Sequence, residues 1–315
     1  MNAQHEELGA PHAPLPNPAS KSKACLEAAN TGAASTRVME ISAGNTDRAV
    51  PKGDGRRLLR ELVATPARKL LGRRPAPQQL DALEGYARWA ATYEQDMDGH
   101  PLAQAETAAM RALLPPCEGI VALDAACGTG RYARLLAQQG AQQVIGIDQS
   151  LPMLKLAQAQ VVPDSGANFQ FIWGSLLHLP LADESCHLAI VALALSHLRT
   201  AQLYQAFAEL SRVLKPGGIL LMSEMHPIGA LTGGRCRFEL SEGKRQQVYH
   251  IQTYIHLHED YLAAALAADL TLEALVEPRL TENLFPAFER AGMADFARRF
   301  AGFPLALVCR WRKPF

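Results

Sequence analysis

The chain has no excess of either charge: 31 Lys and Arg are matched by 31 Asp and Glu over 315 residues. A protein that grips nucleic acid by its phosphates needs a basic excess, so nucleic acid is set aside as the main partner. The six cysteines (Cys25, Cys117, Cys127, Cys186, Cys236 and Cys309) include no Cys-x-x-Cys or other metal-ligand spacing. They suit free thiols in a reducing compartment better than a disulfide framework. Long apolar runs are also missing. The longest, Leu188 to Leu195, is far too short to span a bilayer, and no membrane partner is expected. The start, MNAQHEELGAPHAP, has no basic residues leading into an apolar stretch, so no secretory signal is expected and the chain reads as cytoplasmic. Internal repeats are absent. What the chain does have is bulk: 48% of it is hydrophobic, enough for a sizeable core.

Residues 1–55 are rich in Ala, Pro, Ser, Asn and Gly and read as a disordered tail. Residues 56–114 read as an N-terminal helical cap. It opens with the basic amphipathic stretch RRLLRELVATPARKLLGRR, a surface helix interrupted by Pro66. Leu80, Leu83, Tyr86, Trp89, Tyr93 and Met97 then recur at steps of three and four, as one face of a helix. A second helix spans about Leu102 to Leu114. Residues 115–315 form the main domain, where strand and helix patterns alternate. GIVALDAAC, QQVIGIDQS, FQFIWGS, CHLAIVALALSHL and ILLMSEMHP read as strands. RYARLLAQQG, PMLKLAQAQ and TAQLYQAFAELSRVLKPGG read as helices between them. Such alternation predicts a parallel α/β sheet with helices on both faces. Residues at about 228–258 form a polar, aromatic insertion with a hairpin around Ser241 to Lys244, read as a lid. A helix near DYLAAALAAD and two late strands, LTLEALVEP and PLALVCRWRK, follow.

The chemistry concentrates in Asp124-Ala125-Ala126-Cys127-Gly128-Thr129-Gly130, between the first strand and its helix. Gly128 and Gly130 let backbone approach a ligand, and the helix N-terminus offers free N–H groups. Asp148 ends the second strand, where a carboxylate can accept both ribose hydroxyls of a nucleoside. Gly128-x-Gly130-x-x-Ala133 also fits the nicotinamide dinucleotide fingerprint. Two features count against that rival. Asp124 would repel a pyrophosphate but not a sulfonium with an amino-acid head, and helices rather than a chain start precede the motif.

VALDAACGTGRYARLLAQQGAQQVIGIDQSLPMLKLAQ resembles the first two motifs of the class I S-adenosylmethionine-dependent methyltransferases. FQFIWGSLLHLPLADESCHLAIVALALSHL and ELSRVLKPGGILLMSEMHP resemble that superfamily's later strands, and YARWAATYEQ is similar to its cofactor-covering helix. The resemblance covers about Ile120 to Pro227. It implies a Rossmann-like seven-stranded mixed sheet with an antiparallel last strand, and S-adenosylmethionine as cofactor. By the same resemblance Asp124, Ala126, Gly128 and Gly130 surround the methionine half. Asp148 takes the ribose, Gln149, Ser175 and Leu176 flank the adenine, His197 stands near the sulfonium, and Tyr93 closes over the cofactor. Three residues depart from the usual pattern: Ala126 stands where Gly is common, and Ser175 and His187 where Asp is common.

A methyl acceptor with a hydroxyl or protonated nitrogen is helped by a base just past a strand end. His226, directly after the fifth strand, reads either as that base or as a loop histidine holding backbone groups. His226, His250, Tyr254, His256 and Tyr261 are candidate substrate contacts. His256 and His258 share a strand face, but without a third ligand they predict no metal. The expected activity is methyl transfer to an O or N atom of a small molecule, in an assembly that leaves room for a homodimer. The alternatives are S-methylation of a thiol or thioether, NAD-dependent oxidoreduction, or a non-catalytic cofactor-binding fold.

Overall fold

The computed structural model describes residues 76–161, 166–231, 234–243 and 245–315. The tail expected over 1–55 and the basic segment opening the expected cap lie outside the described residues. In chain order the elements are β1 (Gln78–Leu80), α1 (Ala82–Trp89), α2 (Tyr93–Met97), α3 (Pro101–Leu113), β2 (Val121–Ala125), α4 (Arg131–Gln138), β3 (Gln143–Asp148), α5 (Leu151–Ala159), β4 (Asn168–Trp173) and β5 (Cys186–Ala192). There follow α6 (Thr200–Val213), β6 (Leu214–Met225), α7 (Pro227–Leu231), β7 (Arg237–Glu242), β8 (Arg245–Ile251), α8 (His258–Ala267), β9 (Thr271–Val276), α9 (Phe285–Arg290), α10 (Ala294–Arg299) and β10 (Ala306–Arg312). Among the described residues no helix is long and apolar enough to cross a membrane.

The main sheet has seven strands in the order β4-β3-β2-β5-β6-β10-β9, and β10 runs antiparallel to both neighbours. The α/β reading and the antiparallel last strand therefore hold. The period-two alternation of a strand sends successive residues to opposite faces. Leu123, Ile145, Ile147, Val191, Leu220 and Met222 pack on one face with Phe207 of α6 and Ala264 of α8. Ala122, Val144, Leu188, Ile190 and Leu221 pack on the other with Met110 of α3 and Leu136 of α4. Strands buried on both faces explain the near-continuous apolar runs in the sequence.

Several local readings change. The periodic face from Leu80 to Met97 is not one helix: Leu80 ends β1, and α1 and α2 are separate. Asp81 caps α1 by accepting the Glu84 N–H at 2.8 Å, which fixes the helix start beyond Leu80. The strand read over CHLAIVALALSHL stops at Ala192, and Leu195–His197 form a 3₁₀ turn. His256 and His258 do not share a strand, because β8 ends at Ile251 and His258 opens α8. The insertion does form a hairpin, but β8 also pairs in parallel with β1, giving a separate three-stranded sheet β1-β8-β7. Its Phe238, Tyr249 and Ile251 pack with Trp89, Tyr86 and Tyr93. The hairpin thus backs helix α1. A stretch that sequence patterning left unread, 280–305, builds a small helical cluster around Leu280, Leu284, Phe288 and Ala297.

Candidate functional site

A cavity of about 580 Å³ opens at the carboxyl ends of the parallel strands, where open α/β sheets bind ligands. Its floor is the turn after β2. Asp124 is buried, and its carboxylate accepts the Ala133 N–H at 2.7 Å, which ties the strand end to the first turn of α4. Burial raises its pKa to about 7. Asp148 accepts Gly128 N–H and Ser150 N–H, each at 2.8 Å, one on each carboxylate oxygen. Burial raises it too, against the pull of those N–H donors. Each oxygen keeps a second lone pair, so the group can still accept two hydroxyls.

Two non-glycine residues on the cavity wall adopt left-handed backbone, Ala126 at φ 56° and Leu193 at φ 55°. Such a conformation costs an L-residue about 1–2 kcal/mol and tends to gather at functional sites. The sequence had identified Ala126 as the departure from glycine. The structure supplies the cost: the turn needs a left-handed residue there.

The cavity is roofed by α1, α2 and the turn beyond them, through Tyr86, Tyr93, Met97 and Gly99. Tyr86 and Tyr93 meet edge to face at 6.1 Å, and Trp89 stacks behind them on Phe238 at 5.1 Å. The cavity wall is tied to helix α3 and to β6 by a buried carboxylate on α3. Glu106 has no exposed surface, and it accepts Tyr132 Oη and Ser223 Oγ at 2.6 Å each and Arg131 Nη1 at 2.9 Å. The cationic groups of the wall are thereby committed. Arg131 serves Glu106, while Arg134 donates to Thr129 O at 2.7 Å and lies 4.0 Å from Glu94.

Of the residues the sequence nominated for the cofactor, Tyr93, Asp124, Ala126, Gly128, Asp148, Gln149, Ser175, Leu176 and His197 all line this cavity. Gly130 does not. It caps α4 at φ 78°, and a Cβ there would stand 3.2 Å from Ala157 Cβ, so its role is the close helix packing under the turn. The substrate nominations fare differently: His226, His250, Tyr254, His256 and Tyr261 are not among the lining residues. His250 faces Gln79 on the small sheet at 3.5 Å. Tyr254 accepts hydrogen bonds from Arg199 and Gln252. His256 is buried against the Leu198 carbonyl at 2.8 Å, and Tyr261 is a buried core residue of α8 itself. The hairpin that was expected to deliver them packs on α1 instead.

His226 is buried at the far end of the same strand-end surface. Its backbone N–H reaches Leu305 O, and its Nε2 lies 3.0 Å from Glu277 Oε1, which His258 Nε2 also approaches at 2.9 Å. One ligand-type atom from each of these residues falls within 4.8 Å of the others, a set that could hold an ion. The proton positions argue for another arrangement. Ile228 N–H donates to His226 Nδ1 at 3.2 Å, so the ring proton of a neutral His226 is on Nε2 and donates to Glu277. A metal-ligating imidazole instead donates from its other nitrogen. Burial lowers the His226 pKa despite Glu277, favouring that neutral ring. The general-base role read for His226 is therefore not supported by its position.

Two residues that the sequence left as core or cofactor contacts come together at the cavity. His197 Nε2 is 3.0 Å from Tyr86 Oη, and His197 Nδ1 is 2.8 Å from Gln252 O. Tyr86 was legible only as part of an aromatic stripe, and Gln252 carried no signal because it acts through its backbone.

Residues 122–218 match the family model described as "Methyltransferase domain". A ubiquinone/menaquinone biosynthesis C-methyltransferase of Syntrophotalea carbinolica is 39% identical over 117 residues, 36% of this chain and 48% of that protein. A malonyl-[acyl-carrier protein] O-methyltransferase of Yersinia pestis is 32% identical over 153 residues, 47% of this chain and 54% of that one. The chain thus spans about half the length of these curated relatives. Among solved structures the [4+2]-cyclase SpnF shares the fold, with a TM-score of 0.54 at 19% identity, over 77% of this chain and 99% of that one.

Proposed function

We propose that the chain is a class I S-adenosylmethionine-dependent methyltransferase with S-adenosylmethionine as its cofactor, and that it transfers a methyl group to an O or N atom of a small, uncharged acceptor. The observation that carries this reading is the single cavity joining Asp124, the Gly128 turn, Asp148 and Ser175 to a roof of Tyr86 and Tyr93. The residues fit the cofactor. Asp148 would hold a ribose diol, Gln149, Ser175 and Leu176 would flank an adenine, and Asp124 would attract an ammonium group when ionised. Bound there, the cofactor supplies an electrophilic methyl on a sulfonium.

The protein's own part is to align the acceptor and exclude water. Tyr86, Tyr93, Met97, Leu193, Ala194 and Leu198 give the roof side of the cavity an aromatic and aliphatic wall. Arg131 and Arg134 are both engaged, so an anionic acceptor would find no free countercharge on this wall. A neutral phenol-like or amine acceptor suits it better than a carboxylate or phosphate. The relatives are named for C- and for O-methylation, so the acceptor atom is the finer part of the proposal.

Calorimetric titration with S-adenosylmethionine, S-adenosylhomocysteine and NADH tests it first. Micromolar binding of the two sulfur nucleosides and none of NADH is expected. Binding of NADH alone would overturn the reading.

A further inference from the structure

We propose that Tyr86 is the catalytic residue that takes the proton from the hydroxyl of a phenol-like acceptor, relaying its own proton to His197, which the Gln252 carbonyl holds in the one tautomer able to receive it. This deepens the methyltransferase reading and rests on it.

The direction of each hydrogen bond is fixed by elementary chemistry. A carbonyl oxygen only accepts, so the 2.8 Å contact of His197 Nδ1 with Gln252 O places the ring proton on Nδ1. A neutral imidazole carries one such proton, so Nε2 presents a lone pair. Tyr86 Oη, 3.0 Å away, must then donate to it. With its hydrogen committed, the phenol oxygen is left as an acceptor. Cys236 Sγ stands 3.7 Å from it as a weak partner, and Tyr86 and His197 both line the cavity where the acceptor would sit. The ring planes of Tyr86 and His197 meet at 86°, with centroids 5.3 Å apart.

Burial supplies the electrostatics. It lowers the His197 pKa, keeping the imidazole neutral and ready for a proton. It raises Tyr86 well above the ordinary phenol value, helped by Cys236, Tyr93 and Glu224. A phenol so reluctant to ionise is useless as a lone base. It becomes competent when its proton leaves for His197 as another arrives.

The step balances. The acceptor O–H breaks and its proton goes to Tyr86 Oη, while the Tyr86 O–H breaks and its proton goes to His197 Nε2. The acceptor oxygen forms the new bond to the methyl carbon with its freed electron pair, and the C–S pair returns to sulfur. The positive charge of the sulfonium is thus exchanged for that of an imidazolium, whose Nδ1–H remains on the Gln252 carbonyl.

The rival account is a latch in which Tyr86 merely ties α1 to the turn after β5. Turnover of a series of phenols from 4-nitrophenol to 4-methoxyphenol, with methyl-labelled S-adenosylmethionine, separates the two. Tyr86→Phe keeps the ring and its packing. It should bind S-adenosylmethionine as the wild type does, yet lose about 100-fold or more in kcat/KM with 4-methoxyphenol. The loss should be far smaller with 4-nitrophenol, whose hydroxyl is acidic enough to give up its proton with little help. His197→Gln, acting through Tyr86, should show the same selectivity. It should also lose the acid limb of the wild-type pH profile, where His197 takes up a proton on the acid side of the ordinary histidine range. Tyr93, Cys236 and Glu224 face the pair, and Glu224, whose buried carboxyl titrates at about 7, contributes a separate limb that His197→Gln retains. An equal loss across all phenols, or cofactor affinity lost along with turnover, would establish the latch and overturn the relay. A wild type that binds the cofactor but turns over none of the phenols would also overturn it, while leaving the cofactor site standing.

Discussion

The carboxyl-end surface of the sheet has two halves that look alike in the chain and behave differently in space. On the β3-β2-β5 side, Asp124, Asp148 and His197 surround an open cavity. On the β6-β10-β9 side, His226, Glu277 and His258 close on one another. Both halves place titratable groups just beyond strand ends, which is where sequence reasoning looks for chemistry. The difference lies in the neighbours. The parallel strands β2 and β5 leave room between the turns that follow them. The antiparallel β10 instead brings its incoming loop onto the end of β6, where Leu305 O accepts the His226 N–H and fills the space. A strand end is therefore a candidate site only when the adjacent strand does not deliver a loop to the same place.

The comparison can be broken most severely at Glu106, which ties α3 and β6 to the Arg131 and Tyr132 of the cavity wall. Glu106→Ala removes the acceptor of Arg131, Tyr132 and Ser223 from a fully buried position. It should destabilise the protein by about 2–5 kcal/mol in denaturant unfolding, since the buried hydroxyls of Tyr132 and Ser223 are each left without a partner at about 1–3 kcal/mol. A change below about 1 kcal/mol would mean the network does not hold the wall.

A smaller effect is expected for Asp148→Ala, which should weaken S-adenosylmethionine binding by about 1–3 kcal/mol through lost charge-assisted hydrogen bonds. His226→Ala is its counterpart on the closed half, and there cofactor affinity should stay at the wild-type value. If the two variants moved affinity equally in calorimetry, the division into open and closed halves would fail.

The smallest effect sharpens the picture of the turn itself. Ala126→Gly relieves a left-handed alanine, offset in part by the greater freedom of glycine in the unfolded chain. A net stabilisation of about 0.5–1 kcal/mol should appear as a higher denaturation midpoint. A loss of stability would show that the Ala126 methyl has packing value that outweighs its backbone strain.

The open half was legible because its parts are close in the chain. Strand, glycine turn and helix follow one another, and Asp148 is reached one crossover later, so periodicity and turn chemistry located Asp124, Gly128 and Asp148, and the family resemblance implied six more of the cavity residues. The roof was half legible. Its aromatic stripe was visible, but the break after Leu80 and the pairing of β1 with β8 depend on residues about 170 positions apart. The closed half was left open between two readings, of which the loop histidine holding backbone groups matches the Ile228 N–H on His226 Nδ1. His226 has the local setting of a base, and nothing near it in sequence announces Leu305 or Glu277.

What the sequence determined by itself is the alternating α/β core, the nucleoside-type turn with its two carboxylates, and that its longest apolar run is too short for a membrane helix. Each follows from short-range rules: side-chain periodicity, backbone permissiveness at glycine, and the length of an apolar run. Tertiary structure alone decided in which tautomer the cavity histidine is held, and against which partner. Those depend on single contacts such as that of His197 with the Gln252 carbonyl. A backbone carbonyl is the same in every residue, so no pattern of side chains could have foretold which one would be there.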